Sequence, residues 1–229
     1  MRFKALLCAA AVAAAAAGSA QAGAAWEFTS PGNDFTNGTW DFATAFKVNS
    51  NVTASGLGYY ASPTNGQVNA NPVALFECSS VDCIGGSGTL LATATVDNTF
   101  ALLGHFRYET ITPVNLLAGH YYEVAGVSNG DNYTWNDSGF ATDPSVSIVP
   151  TATFSTRWQS LGTPSFLNYL NTAELESDGF HGPNVFLGAA TGFTGGGVPE
   201  PAAWTLMLVG FGGMGAMLRS ARRRHLVAA

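Results

Sequence analysis

Between residues 23 and 191 the chain is written in twos. Apolar and small polar residues change places at every second position in short runs, and clusters of Gly, Asn, Asp and Pro separate each run from the next. Phe42 to Val48 alternates, as does Val52 to Tyr60, and Val73 to Glu77 reads as a buried strand. Leu90 to Val96 follows a Gly-rich turn, and Phe106 to Ile111, Tyr121 to Val127 and Ser145 to Val149 continue the series. Apolar residues at helical spacing are nearly absent from this stretch. Period-two runs with turn chemistry at hairpin spacing predict an all-β fold, an antiparallel β-sandwich of jelly-roll type. About 170 residues suffice for one domain with a sizeable core.

The two ends are of another kind. Arg2 and Lys4 precede the apolar stretch Ala5 to Ala17, which leads into Ala20-Gln21-Ala22. A positive start, a short apolar run and an A-x-A site predict a signal peptide, 1–22, cut after Ala22 by signal peptidase. Near the other end Gly195-Gly196-Gly197 closes a linker over 192–198. An apolar helix follows over about 203–218, and then Arg219, Arg222, Arg223 and Arg224. This run is short for a bilayer core of about 30 Å, but Trp204 can sit at one interface while arginines snorkel at the other. Positive charge stays in the cytoplasm, so the domain is expected outside the inner membrane and the arginines inside.

Pro199-Glu200-Pro201, Trp204 three residues later, the Gly-Phe-Gly-Gly-Met-Gly span and the arginine tail together resemble the PEP-CTERM sorting signal in its PEPxxW form. The resemblance covers about thirty residues, 199–224 at its centre. It implies recognition by a membrane exosortase of an exopolysaccharide-making Gram-negative bacterium. It further implies removal of the tail and delivery to the cell surface or extracellular matrix. Gly210, Gly212 and Gly215 within it satisfy the dinucleotide fingerprint G-x-G-x-x-G. That motif needs an acidic residue about 20 positions on, whereas the sequence has no acid after Glu200. The glycines suit close packing against a partner helix in the membrane instead.

With the ends set aside, the stretch from Gly23 to Val198 holds fourteen acids against Lys47, Arg107 and Arg157, a net charge of −11. Such a surface repels polyanions, which excludes nucleic acid as a partner and suits a soluble exported domain or one that meets neutral glycans or cations. Cys78 and Cys83 flank Ser79-Ser80-Val81-Asp82. In an exported chain this spacing predicts a disulfide closing a small loop, contributing roughly 2 kcal/mol. A metal pair is the rival reading, but it lacks further ligands nearby. The order Val73-Ala74-Leu75-Phe76, Gly88 to Val96, Phe106-Arg107-Tyr108 and Pro113 to Tyr122 also resembles a domain of unknown function often found upstream of this tail. That resemblance implies a β-sandwich of about 150 residues and carries over no functional residues.

Chemistry-bearing residues are few. His105, His120 and His181 stand apart, with no i, i+2 or i, i+4 pairing for a metal. The acidic loop with Asp131, Asn132, Tyr133, Trp135 and Asp137 gathers the oxygen ligands that calcium prefers beside aromatics that could stack on sugar. It lacks the closing Glu of an EF-hand, and its Asn, Gly and Asp equally suit a plain turn. Tyr59, Tyr60 and Trp158 are further aromatics for a glycan, while Trp26 and Trp40 are expected in the core. No catalytic constellation emerges. Ser87 lacks the nucleophile-elbow context, and Glu174 and Glu176 cannot be placed across a cleft from sequence. The expectation is an exported, non-enzymatic surface or matrix protein with no resident cofactor, in passing contact with the inner membrane. A carbohydrate-binding module, calcium-assisted and meeting exopolysaccharide, is the alternative; a polysaccharide hydrolase is third.

Overall fold

The computed structural model describes residues 22–149, 155–157, 163–167 and 180–189. Ala20 with the rest of the expected signal peptide, the expected sorting tail and its expected membrane helix, Trp158, Glu174 and Glu176 lie outside the described residues. In chain order the strands are β1 (Gly23–Ala24), β2 (Trp26–Glu27), β3 (Asn33–Phe35), β4 (Asp41–Val48), β5 (Val52–Tyr60) and β6 (Asn71–Cys78). After the short 3-10 turn Val81–Cys83 come β7 (Gly88–Val96), β8 (Leu102–Leu103), β9 (Phe106–Leu116), β10 (Tyr121–Val127) and β11 (Tyr133–Trp135). The last are β12 (Ala141–Thr142), β13 (Val146–Ile148), β14 (Ser155–Arg157) and β15 (Pro183–Leu187).

The fold is all-β and antiparallel, a sandwich of two sheets. One sheet runs β1-β15-β5-β9-β8; the other runs β13-β4-β10-β6-β7, with β14 beside β4 as well. Because β10 takes one side of β4 from Asp41 to Lys47, β13 and β14 share the other side, at opposite ends. Two small ribbons, β3 with β11 and β2 with β12, complete the pairing.

Alternation is what builds the core. Phe42 and Phe46 of β4 share a face with Tyr122, Val124 and Gly126 of β10 and with Val73 and Leu75 of β6. This is the face that meets the first sheet, since a Cβ on Gly126 would touch Tyr59 and Pro183. Each fully buried Phe or Leu of this layer contributes about 1.5–3 kcal/mol. The opposite face of the second sheet carries Ala43, Ala74, Phe76, Glu123 and Ala125, covered by Phe166 and Leu167. The first sheet is likewise buried on its far side, where Tyr108 lies across Gly58 and meets Phe186 edge-on at 5.4 Å. Burial on both faces explains why β4 and β5 are almost continuously buried rather than half exposed.

The long strands fall where alternation places them, with two informative differences. β9 extends five residues past Ile111, and its pairing with β5 shifts where Ala54 faces Val114 and Gly56 faces Thr110. Pro113 lies in that shift, where an amide donor is not needed. β15 is absent from the alternating series because it opens on Pro183 inside a Gly- and Pro-rich stretch. It nevertheless inserts between β1 and β5 with all five residues buried. The tryptophans also divide: Trp26 is buried against Phe46, but Trp40 is only partly buried, its Nε1 donating to Asn37 Oδ1 at 2.5 Å.

Candidate functional site

The groups singled out in the acidic loop come together around the β3–β11 ribbon. Register pairs Tyr133 with Phe35, Thr134 with Asp34 and Trp135 with Asn33. Strand geometry therefore puts the aromatics on one face and Asp34 and Thr134 on the other.

The polar face is a hydrogen-bond network centred on two carboxylates. Asp34 accepts from Ser62 Oγ at 2.6 Å, Asn132 Nδ2 at 3.0 Å and Tyr60 OH at 3.2 Å. Partial burial works to raise the Asp34 pKa, but the donors from Ser62, Asn132, Thr64 and Tyr60 outweigh it and hold the carboxyl below its usual range. Burial and the nearby Asp34 and Asp137 charges push the Tyr60 phenol up, so it remains a donor. Asp137 accepts from Thr134 Oγ1 at 2.5 Å, from the Gly32 amide at 2.8 Å and from His181 Nδ1 at 2.6 Å. Gly32 is required there by close approach, because any Cβ would collide with the Asn136 carbonyl. The side chains of Asp137 and His181 have no solvent exposure at all.

His181 is held in a stack of rings. Phe140 lies 4.9 Å from it at an interplanar angle of 6°, and Phe28 lies on it at 5.8 Å and 20°. Phe28 in turn stacks on His105 at 4.5 Å, and the His105 Nδ1 pairs with Glu27 at 2.8 Å. His120 pairs with Glu77 at 2.8 Å near the far end of β10. Each of these three histidines thus meets a carboxylate, and no two of them meet each other. A buried His oriented by an Asp has the form of a general-base pair, but a substrate cannot reach an enclosed ring.

Asp131 is used elsewhere. Its carboxylate accepts from the Val68 amide at 3.0 Å, the Asn69 amide at 2.9 Å and Asn69 Nδ2 at 3.1 Å, clamping the turn before β6. Asn132 is committed to Asp34 and is buried. The carboxylates and the Asn132 amide of this loop are thus engaged internally, and three of its residues form β11 rather than a turn. Among the described residues, no group of three His, Cys, Asp or Glu side chains is arranged to hold a metal ion.

The aromatic face is a packed cluster. Tyr133 is buried and stacks on Trp135 at 5.6 Å, while Phe35 stands edge-on to Trp135 at 82° and Phe180 edge-on at 67°. Phe35 is the one exposed ring of these, and Trp135 is partly exposed. Perpendicular rings do not make a coplanar platform for sugars. Tyr59 and Tyr60 are fully buried and do not present themselves to a glycan.

Two open depressions stand away from the ribbon. One, of about 440 Å³, is lined by Asn51, Thr53, Ser55, Pro113 and Gly188. The other, of about 670 Å³, lies over β6 and β7 against Thr163 and Pro164. Among the described residues, neither is lined by an ionisable side chain. Cys78 and Cys83 form a disulfide with Cα atoms 5.1 Å apart, and Cys83 is buried. Of the signal-cleavage pair, Ala22 is described and lies against Gly188.

No protein-family model matches the chain, and no curated protein matches it.

What the sequence did not disclose is the pairing of distant groups. Asp34 and Asn132 are 98 residues apart, and Asp137 and His181 are 44 apart. A lone His in a Phe-His-Gly-Pro segment gives no sign of its partner; only the burial of the strand that follows it could have.

Proposed function

We propose that the protein is an exported, non-enzymatic component of the cell surface or extracellular matrix, released from a preprotein by two cuts. The observation that carries this reading is how the described domain closes on itself next to the expected cut. Gly23, the first residue after the expected signal-peptidase site, is the first residue of β1 and pairs with Leu187 at the end of β15. Among the described residues the two sheets pair without a strand from either terminal segment, as release by two cuts requires. The disulfide supports an oxidising compartment.

The winding supports the finer fold reading. Taken without the two-residue β8 and the short β13 and β14, the sheets are β1-β15-β5-β9 and β4-β10-β6-β7. Each successive strand in sequence changes sheet except the β6–β7 hairpin, which is a jelly-roll path. Enclosure of the His181–Asp137 pair supports a non-enzymatic role over a hydrolase. In this proposal Pro199, Glu200, Pro201 and Trp204 are the exosortase signal, Trp204 and the arginines position the transient anchor, and exopolysaccharide is the surrounding medium. Carbohydrate binding is the second reading, and the partly exposed Trp135 beside the exposed Phe35 is what favours it.

Replacing Pro199-Glu200-Pro201 by Ala-Ala-Ala tests the proposal in the native host. The variant is expected to stay in the inner membrane with its signal removed and its tail intact. Release into the medium at the wild-type rate would refute the sorting function.

A further inference from the structure

Among the described residues, the sandwich has its edges blunted in all but one place. The first sheet ends in the two-residue strands β1 and β8, and β4 is covered by β13 and β14. Past β8, the outer side of β9 carries Glu109 and is broken by Pro113. Short strands, charges and proline are the usual protections against strand addition. β7 has none of these. It is nine residues long, Gly88 to Val96, without a charged residue or a proline. Among the described residues it pairs with β6 alone. Thr89, Leu90, Thr93 and Thr95 are exposed, and Leu90 is 54% accessible.

We infer that β7 is an assembly edge, on which a second copy of this chain adds its own β7 antiparallel across a two-fold axis. Two features select a second copy over an unrelated strand. The strand is self-complementary. The bulge at Leu91, where Leu75 faces Ala92 and Phe76 faces Leu90, confines flat pairing to Ala92–Val96. Centred on Ala94, antiparallel pairing sets Thr93 opposite the second copy's Thr95 on the outer face and Ala92 opposite its Val96 on the inner one. Threonine pairs and small apolar pairs are favourable cross-strand neighbours. Finally, such pairing is isologous and closes at two copies, so it joins the six-strand sheets of both without leaving a growing end.

Five residues a side make a small interface, well under the roughly 1,200–2,000 Å² of a stable complex. The contact is therefore weak in solution and is strengthened where many copies are held close together, as at a surface.

Sedimentation equilibrium of the processed extracellular protein, from about 10 µM to about 1 mM, reads the contact directly. A monomer–dimer equilibrium is expected. Thr93→Lys, at an exposed edge position, should raise the dissociation constant at least about tenfold while the thermal midpoint stays unchanged, and Thr93→Ser should behave as wild type. A protein that stays monomeric throughout the range, a dimer unaffected by Thr93→Lys, or open-ended oligomers would each overturn the inference.

Discussion

Two buried carboxylates, at the β3–β11 ribbon and on the outer face of the second sheet, show how differently one chemical group can be accommodated. Asp137 is enclosed among three donors, from Gly32, Thr134 and His181, so its charge is matched where it sits. Glu123, in the middle of β10, is 2% exposed and accepts from the Leu167 amide at 2.7 Å, its neighbours across the strands being Ala45 and Phe76. Burial raises the Glu123 pKa and the Leu167 hydrogen bond only partly offsets it, leaving the carboxyl at about 8. Asp137 fastens a ribbon. Glu123 lies under a strap with one donor, so its neutral form is favoured up to about pH 8, and the difference lies in the donors rather than in depth.

Removing the well-matched group should cost most. Asp137→Ala leaves His181 enclosed without its carboxylate and frees the Gly32 and Thr134 donors. A loss of about 3–5 kcal/mol is expected in urea unfolding. A loss below about 1 kcal/mol would mean that the ribbon is not held by this network.

Glu123→Gln should do the reverse, and only in a defined pH range. Its folded pKa of about 8 lies above the usual 4.5, so its contribution is fully present below 4.5 and is lost as pH rises towards 8. Within that window wild-type stability should fall by up to about 1.4 kcal/mol per pH unit from this group. Gln keeps the acceptor for the Leu167 amide without a charge to desolvate, so the variant should lose that slope. Equal slopes in the two proteins, by urea unfolding at pH 5, 6, 7 and 8 (roughly the span of the titration), would mean that Glu123 is not the titrating group.

The same contrast marks what could be read from the chain. Short apolar runs bounded by turn residues located β4, β5, β6, β7 and β10 to within about two residues, because each run is set by local sequence between its turns. Cysteine spacing likewise placed the Cys78–Cys83 bond, a contact between near neighbours. Glu123 stood legibly inside the run Tyr121 to Val127, but its burial depends on Phe166 and Leu167, some forty residues on. β11 was hidden inside an apparent turn, since Asn, Asp and Gly around Tyr133 to Trp135 outweigh a three-residue strand signal. β15 was hidden by Pro183, and with it went the partner of β1 and the position of His181. In an antiparallel sandwich local period gives the strands, while side-chain networks join segments whose separation the sequence does not encode.

If the working form of the protein is the β-domain alone, freed at both ends, both cuts must be visible in the natural extracellular material. Its intact mass, with the terminal residues sequenced, reads the two together. The expected result is an N-terminus at Gly23, an intact Cys78–Cys83 disulfide and no Arg219 to Arg224 segment. Extracellular protein that begins at Met1 or retains the arginine tail would contradict it.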